Sequence, residues 1–306
     1  MRLKCADDKT PDIAILDALA KRPNAPAETR KKIEQEIRNI RAGVNGEAEA
    51  AYEMDFQLTS RNWMVIHDLR LEHGGRVAQI DHLVINRFLQ VFVCESKRFS
   101  EGVALNENGE FAAFYNGKPR GMPSPLEQNE KHMQVLAAIF KDGVVDLPRR
   151  LGFTLTPVIK GYVLVSKSAR ISRPKVALPG LDCIVKADQF VSRLTREDDG
   201  PMSMARVVGQ DTLEALGRQL AALHKPLQFD WEAKFGLKSQ PYSQDAVALD
   251  IVVPAAPNEH APANPAKVKL VCSTCAIPVS YAVAKFCWNS RKLNGKVLCM
   301  SCQKTQ

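Results

Sequence analysis

Residues 77–97, VAQIDHLVINRFLQVFVCESK, decide the architecture. Two apolar, β-branched runs, 77–86 and 90–97, flank a short turn and read as consecutive antiparallel strands. Glu95 and Lys97 are one residue apart, so on a strand both project from the same face. If the hairpin centres near Phe88, Asp81 falls opposite Glu95, and paired residues on neighbouring strands point the same way. Two carboxylates and a lysine then converge within the apolar segments QIDHLVI and VFVCESK. Charges in such strands are costly unless paired or bound to a metal. Adjacent carboxylates repel, a divalent cation relieves the repulsion, and oxygen ligands suit Mg²⁺. The lysine can stabilise charge developing on a phosphate. A partly solvated ion pair at a strand end would leave the same residues, but the spacing of one hairpin and the apolar strands favour the metal reading. Cys94 and Ser96 are expected to face the other way, with Cys94 buried.

Working outward, 63–71 (WMVIHDLRL) alternates and ends at the turn His73-Gly74-Gly75, predicting a third strand before the other two. Residues 11–21 space Ile13, Leu16 and Leu19 as a short helix, and 28–42 carry Ile33, Ile37 and Ile40 on one helical face. Gly43 and Gly46 are expected to interrupt this helix. A further helix is predicted from Glu47 to Leu58 through Ala48, Ala51, Tyr52 and Phe56. Glu47 would open it, where its charge suits the macrodipole whether or not it also serves the carboxylate cluster. Downstream, 102–116 reads as a hairpin. Pro125 opens a helix with Leu126, Met133, Leu136, Ala137 and Phe140 on one side. Strands are predicted at 158–165 and, more weakly, at 182–185, and helices at 187–196 and 211–223. This order describes an α/β (α+β) fold, a mixed sheet flanked by helices. His82 and His132 flank the motifs and read as packing or hydrogen-bonding residues.

The 306 residues are 45% hydrophobic and 25% charged, which suits one large globular domain or two modest ones. No apolar run reaches the roughly 18 residues of a membrane span. The start, MRLKCADDKTPDIAIL, has no apolar signal segment, so a cytoplasmic chain with no membrane partner is expected. The net charge is +8, yet residues 266–306 hold seven Lys/Arg and no Asp/Glu, against 35 basic and 34 acidic residues elsewhere. A basic tail on a near-neutral body points to a polyanion, nucleic acid first. Residues 239–266, with five Pro, seven Ala and no Gly, read as a semi-extended linker.

Five of the eight cysteines fall within 272–302. Cys272-x2-Cys275 and Cys299-x2-Cys302 are two knuckles that can present four thiolates to one tetrahedral Zn²⁺, which so small a segment needs in order to fold. Cys287, between them, is either a fifth, buried cysteine or an alternative ligand. Tyr281, Phe286 and Trp288 lie among Lys285, Arg291, Lys292 and Lys296, a combination that can stack on bases and hold phosphates, although such aromatics can equally form the minimal core of a ribbon.

The blocks GEAEAAYEMDFQL, QIDHLVI, VFVCESKRFSEGV and PLEQNEKHMQVL, in this order over roughly residues 43–145, resemble the nuclease-related domain, NERD, a branch of the PD-(D/E)xK nuclease superfamily. The resemblance implies a restriction-endonuclease-like mixed sheet and metal-dependent cleavage of nucleic acid. Glu47 matches the family's helix glutamate, Asp81 its strand aspartate, Glu95 and Lys97 its Glu-x-Lys, and Gln128 its helix glutamine. Leu89 or Gln90 stands where the family often has Gly, and Cys94 where an aliphatic residue is usual; neither change removes a chemical group. The tail resembles the zinc ribbons and topoisomerase-type fingers that accompany such domains.

The expected partition is a helical segment (1–42), a nuclease-related core (43–145), its extension (146–238), the linker (239–266) and the ribbon (267–306). The expected activity is Mg²⁺- or Mn²⁺-dependent hydrolysis of nucleic acid, DNA ahead of RNA, with Asp81 and Glu95 as metal ligands. A catalytically silent nucleic-acid adaptor and a protein-interaction role for the ribbon are the alternatives. Protein partners are not legible.

Overall fold

The computed structural model describes residues 1–197, 206–237, 271–275, 277, 279, 283, 287 and 296–303. It divides into two compact units, 1–242 and 243–306. The linker at 239–266, and Tyr281, Lys285, Phe286, Trp288, Arg291 and Lys292 of the tail, lie outside the described residues. Among the described residues, no helix is long and apolar enough to cross a membrane.

The predicted three strands are β2 (Trp63–His73), β3 (Arg76–Asn86) and β4 (Gln90–Lys97), joined by antiparallel pairing. In the β3–β4 ladder His82 stands opposite Cys94 and Leu83 opposite Val93, a hairpin centred on Phe88 as expected. The next step of this register brings Asp81 beside Glu95. β1 (Arg2–Lys4) adds to β2 in parallel. On the other side β10 (Val158–Val165) runs parallel to the whole of β4, from Val158 opposite Gln90 to Val165 opposite Lys97, and β12 (Ile184–Lys186) continues the sheet. The result is a six-stranded mixed sheet, β1-β2-β3-β4-β10-β12.

Helices cover both faces. Val91 and Val93 of β4 join the cluster completed by Val135, Leu136 and Ile139 of α3 (Pro125–Lys141) and by Leu213, Leu216 and Leu220 of α5 (Gln210–Ala222). Phe92 and Cys94 point the other way, to Ala50 and Met54 of α2 (Ala27–Gln57) and Phe190 and Leu194 of α4 (Ala187–Glu197). α1 (Thr10–Ala20) packs with α2 and α6 (Trp231–Lys234) around Leu16, Leu19, Ile33 and Trp231.

The helix predicted to break at Gly43 and Gly46 is continuous for 31 residues. A helical glycine costs only about 1 kcal/mol relative to alanine, less than tertiary packing of the helix returns. Gly46 also has a packing reason: a Cβ there would sit 3.0 Å from the Arg98 Cβ, where the helix crosses the end of β4. Glu47 is therefore a mid-helix residue, and the macrodipole explanation of it falls. The buried face differs as well. Ala50 and Met54 are buried, whereas Tyr52 and Phe56 stack on each other on the solvent side, 64% and 69% exposed. On α3 the expected Ala137 is exposed, and the buried face includes Asn129 and His132.

The hairpin expected at 102–116 is part of a second sheet, in the order β11-β5-β6-β7. It comprises β5 (Gly102–Leu105), β6 (Phe111–Tyr115), β7 (Lys118–Met122) and β11 (Arg170–Ser172). Gly102 has φ +150°, and a side chain there would collide with the Arg170 carbonyl. A short hairpin, β8 (Arg149–Arg150) with β9 (Phe153–Thr154), precedes β10.

The alternation along β2 reverses in mid-strand. Met64 and Ile66 share a core cluster with Leu69 and Leu71, and on β3 Ile80 shares it with Leu83. The reversal falls at Asp68, whose φ is +52°, between the pairs His67–His82 and Leu69–Ile80. Asp68 is held there by the Asp7 amide and Lys9 Nζ, each at 3.1 Å, and by Gln79 Nε2.

Candidate active site and metal centre

The β3–β4 ladder gives way to the site. Past His82 and Cys94 the Ser96 amide donates to Asp81 Oδ2 at 2.7 Å, so a carboxylate takes the place of a ladder carbonyl. Glu95, one step beyond Val93 on the α3 face, is 3% exposed. Its Oε1 accepts from Lys97 Nζ at 2.7 Å and from Gln128 Nε2 at 2.8 Å, and Lys97 also donates to Gln128 Oε1 at 3.2 Å. The spacing of Glu95 and Lys97 and the placement of Gln128 on the first turns of α3 make this triangle.

The electrostatics describe a carboxylate cluster short of positive charge. Asp81 is pushed well above the ordinary carboxylate range, first by burial, then by Glu95 and Glu47. Glu95 is raised by burial, against the opposing pull of Lys97. Glu47, half-buried on α2, is raised to about 7 by burial and then by Asp68, with Lys9 and Lys97 acting in the other direction. Such mutual repulsion is what a bound cation relieves. Glu95 Oε2, buried and without a hydrogen-bond partner, is a donor oxygen of the kind a divalent ion takes. The residues therefore fit such an ion. Glu47, Asp81 and Glu95 are not a closed three-ligand cage, because among the described residues only the cysteines of the tail bring three or more ligand atoms within 4.8 Å of one another.

Several residues of the site escaped sequence reasoning. Asp68 and Lys9 shape the field around Glu47 without belonging to any motif. Asn129, one residue beyond Gln128, donates through Nδ2 to the carbonyls of Val93 (2.9 Å) and Tyr162 (3.1 Å), tying α3 to β4 and β10. His82 is a hydrogen-bonding residue: His67 Nδ1 and His82 Nδ1 are 2.8 Å apart, His82 Nε2 meets Ser96 Oγ at 2.9 Å, and His67 Nε2 meets Asp55 Oδ1 at 3.2 Å. Burial holds both histidines below their ordinary range. This series of hydrogen bonds ends on Ser96, whose amide holds Asp81. Cys94 is buried, and burial pushes its thiol upward, which keeps it inert.

In the second unit Cys272, Cys275, Cys299 and Cys302 bring their sulfurs within 4.8 Å of one another. The Ser273 amide donates to the Val297 carbonyl at 2.8 Å, joining the two knuckles. The backbone amides of Cys299 and Cys275 hold the Cys272 thiol down to about 6, whereas hydrogen bonds with Cys299 and Cys275 push Cys302 up to about 12. Four thiols this close cannot all ionise unaided, and the set fits a tetrahedral ion such as Zn²⁺. Cys287 stands outside it. It is fully buried, and its sulfur accepts from the Leu298 amide at 3.3 Å and Gln303 Nε2 at 3.2 Å. Lys296 is exposed.

Residues 42–164 match the family model of the nuclease-related domain, NERD. The match spans Glu47, Asp81, Glu95, Lys97 and Gln128, and with the mixed sheet between helices it gives the first unit a nuclease-like domain. No curated protein and no solved structure matches the chain.

Proposed function

We propose that the chain is a metal-dependent nuclease that hydrolyses phosphodiester bonds in nucleic acid, DNA ahead of RNA. The observation that carries this reading is the shared grip on Glu95: Lys97 and Gln128 on one oxygen, the other buried and unpaired, with Asp81 as its neighbour. Asp81 and Glu95 would hold Mg²⁺ or Mn²⁺, which when bound polarises the phosphate and activates water. Lys97 keeps its ammonium at the mouth of the site, where it meets the charge that develops on the phosphate oxygens. Gln128 fixes both Lys97 and Glu95, so neither needs to reorganise during reaction. Glu47, ionising near pH 7, is suited to exchange a proton in the neutral range. The four-cysteine set of the tail would hold Zn²⁺, and the +7 segment around it would retain nucleic acid, with Lys285, Trp288, Arg291, Lys292 and Lys296 as contacts.

The test is cleavage of single- and double-stranded DNA and RNA with Mg²⁺ or Mn²⁺. Cation-dependent cleavage is expected, falling at least about 100-fold in Lys97→Ala and Asp81→Ala. Tight binding of these substrates without turnover would leave a silent adaptor. An Asp81→Ala protein as fast as wild type would remove the assignment.

A further inference from the structure

Three buried side-chain atoms among the described residues lack a hydrogen-bond partner: Glu95 Oε2, Asn129 Oδ1 and His132 Nδ1. All three belong to β4 and α3 at the site, and two of them face each other. His132 Nδ1 lies 3.6 Å from Glu95 Oε2. His132 is one helical turn beyond Gln128 and 8% exposed, so the helix that holds one oxygen of Glu95 through Gln128 presents an imidazole to the other.

At 3.6 Å the two atoms are too far apart for a good hydrogen bond. A buried polar atom left unpaired costs about 1–3 kcal/mol, and here two such costs fall at one spot. A water accepting or donating at about 2.8 Å to both would have to do so at an angle of about 80°, well below the tetrahedral value. Two ligand atoms held about 2.1 Å from one ion subtend about 118° at this separation, within about 10° of the tetrahedral angle at which a transition dication can take imidazole and carboxylate together. We infer that His132 is a nitrogen ligand of the site cation, sharing it with Glu95, and that the site therefore favours a first-row transition dication over Mg²⁺. Imidazole suits first-row transition ions, whereas Mg²⁺ takes oxygen ligands. The inference rests on the reading of Asp81 and Glu95 as a cation site. Lys97 is no obstacle, because it occupies the opposite oxygen of the same carboxylate.

Mn²⁺ binding to the full-length, zinc-loaded chain tests this by EPR titration, with pulsed EPR recording nitrogen coupling to the bound ion. Wild type is expected to bind one Mn²⁺ outside the cysteine set, with an imidazole nitrogen signal, and at least about 10-fold more tightly than Mg²⁺. His132→Gln should keep a Mn²⁺ site weakened about 10- to 100-fold, without the nitrogen signal and without the preference over Mg²⁺. His132→Asn is the second variant, should the glutamine fail to fold by circular dichroism. Persistence of the nitrogen signal in both variants, or its absence in wild type that binds Mn²⁺, overturns the role of His132 alone. Failure of wild type to bind Mn²⁺, or binding that survives Asp81→Asn and Glu95→Gln unchanged, overturns the nuclease reading with it.

Discussion

Glu47 shows how much one carboxylate can report about the site. Its folded-state pKa, raised to about 7 from 4.5, means that the fold disfavours its charge. Below about pH 4.5 both folded and unfolded chains carry the proton and there is no penalty; the penalty grows from there and is complete above about pH 7. Its size is at most about 3 kcal/mol. Without added divalent cation, wild type should therefore lose stability relative to Glu47→Gln between pH 5 and pH 8, read from urea midpoints across that range, and Mg²⁺ or Mn²⁺ should narrow the gap. Parallel pH profiles for the two proteins would count against a repelling cluster. Asp81, Glu95 and Lys97 were legible because strand alternation and hairpin arithmetic are local. Asp68 was not, because its left-handed backbone and its proximity to Glu47 come from the pairing of distant segments.

The elements were legible where one face is consistently apolar, as in β2 to β4 and β10. They were misread where glycine appeared to punctuate α2. The two glycines of that helix separate propensity from packing. A Cβ at Gly43 meets only Glu47 Oε1, at 3.8 Å, so Gly43→Ala should stabilise the protein by up to about 1 kcal/mol. Gly46 lies against Arg98, and Gly46→Leu should cost about 1–3 kcal/mol by pushing α2 from the end of β4. Denaturant midpoints of both variants decide the matter, and equal shifts would show that Gly46 has no packing role. The exposed Tyr52–Phe56 stack marks the same limit. A helical wheel shows an apolar stripe, but which stripe is covered depends on the sheet beneath it.

At the scale of the molecule, composition alone sets apart a basic, cysteine-rich tail beyond a Pro/Ala-rich stretch, and the second of the two units spans 243–306. Deleting residues 239–306 should leave a folded nuclease-like unit with unchanged Asp81, Glu95 and Lys97. It should also weaken nucleic-acid affinity and lower the salt dependence by about 0.9 in log–log slope for each duplex phosphate that the tail no longer neutralises. A salt titration of full-length and shortened protein measures both, and identical slopes would deny the tail a role in binding. The joint packing of α1, α2 and α6 was not legible in the sequence, since residues 10–57 and 231–234 are separated along the chain by every strand of the sheet from β2 onward. The parallel pairing of β10 with β4 has a consequence for the chain as it is made. Glu95 and Lys97 leave the ribosome more than 50 residues before Val158–Val165, the strand that covers their other edge. At roughly 5–20 residues per second, β4 spends several seconds with an unpaired side. A nascent chain, or one broken off before residue 158, therefore carries every residue of the candidate site without the strand that closes the sheet beside them.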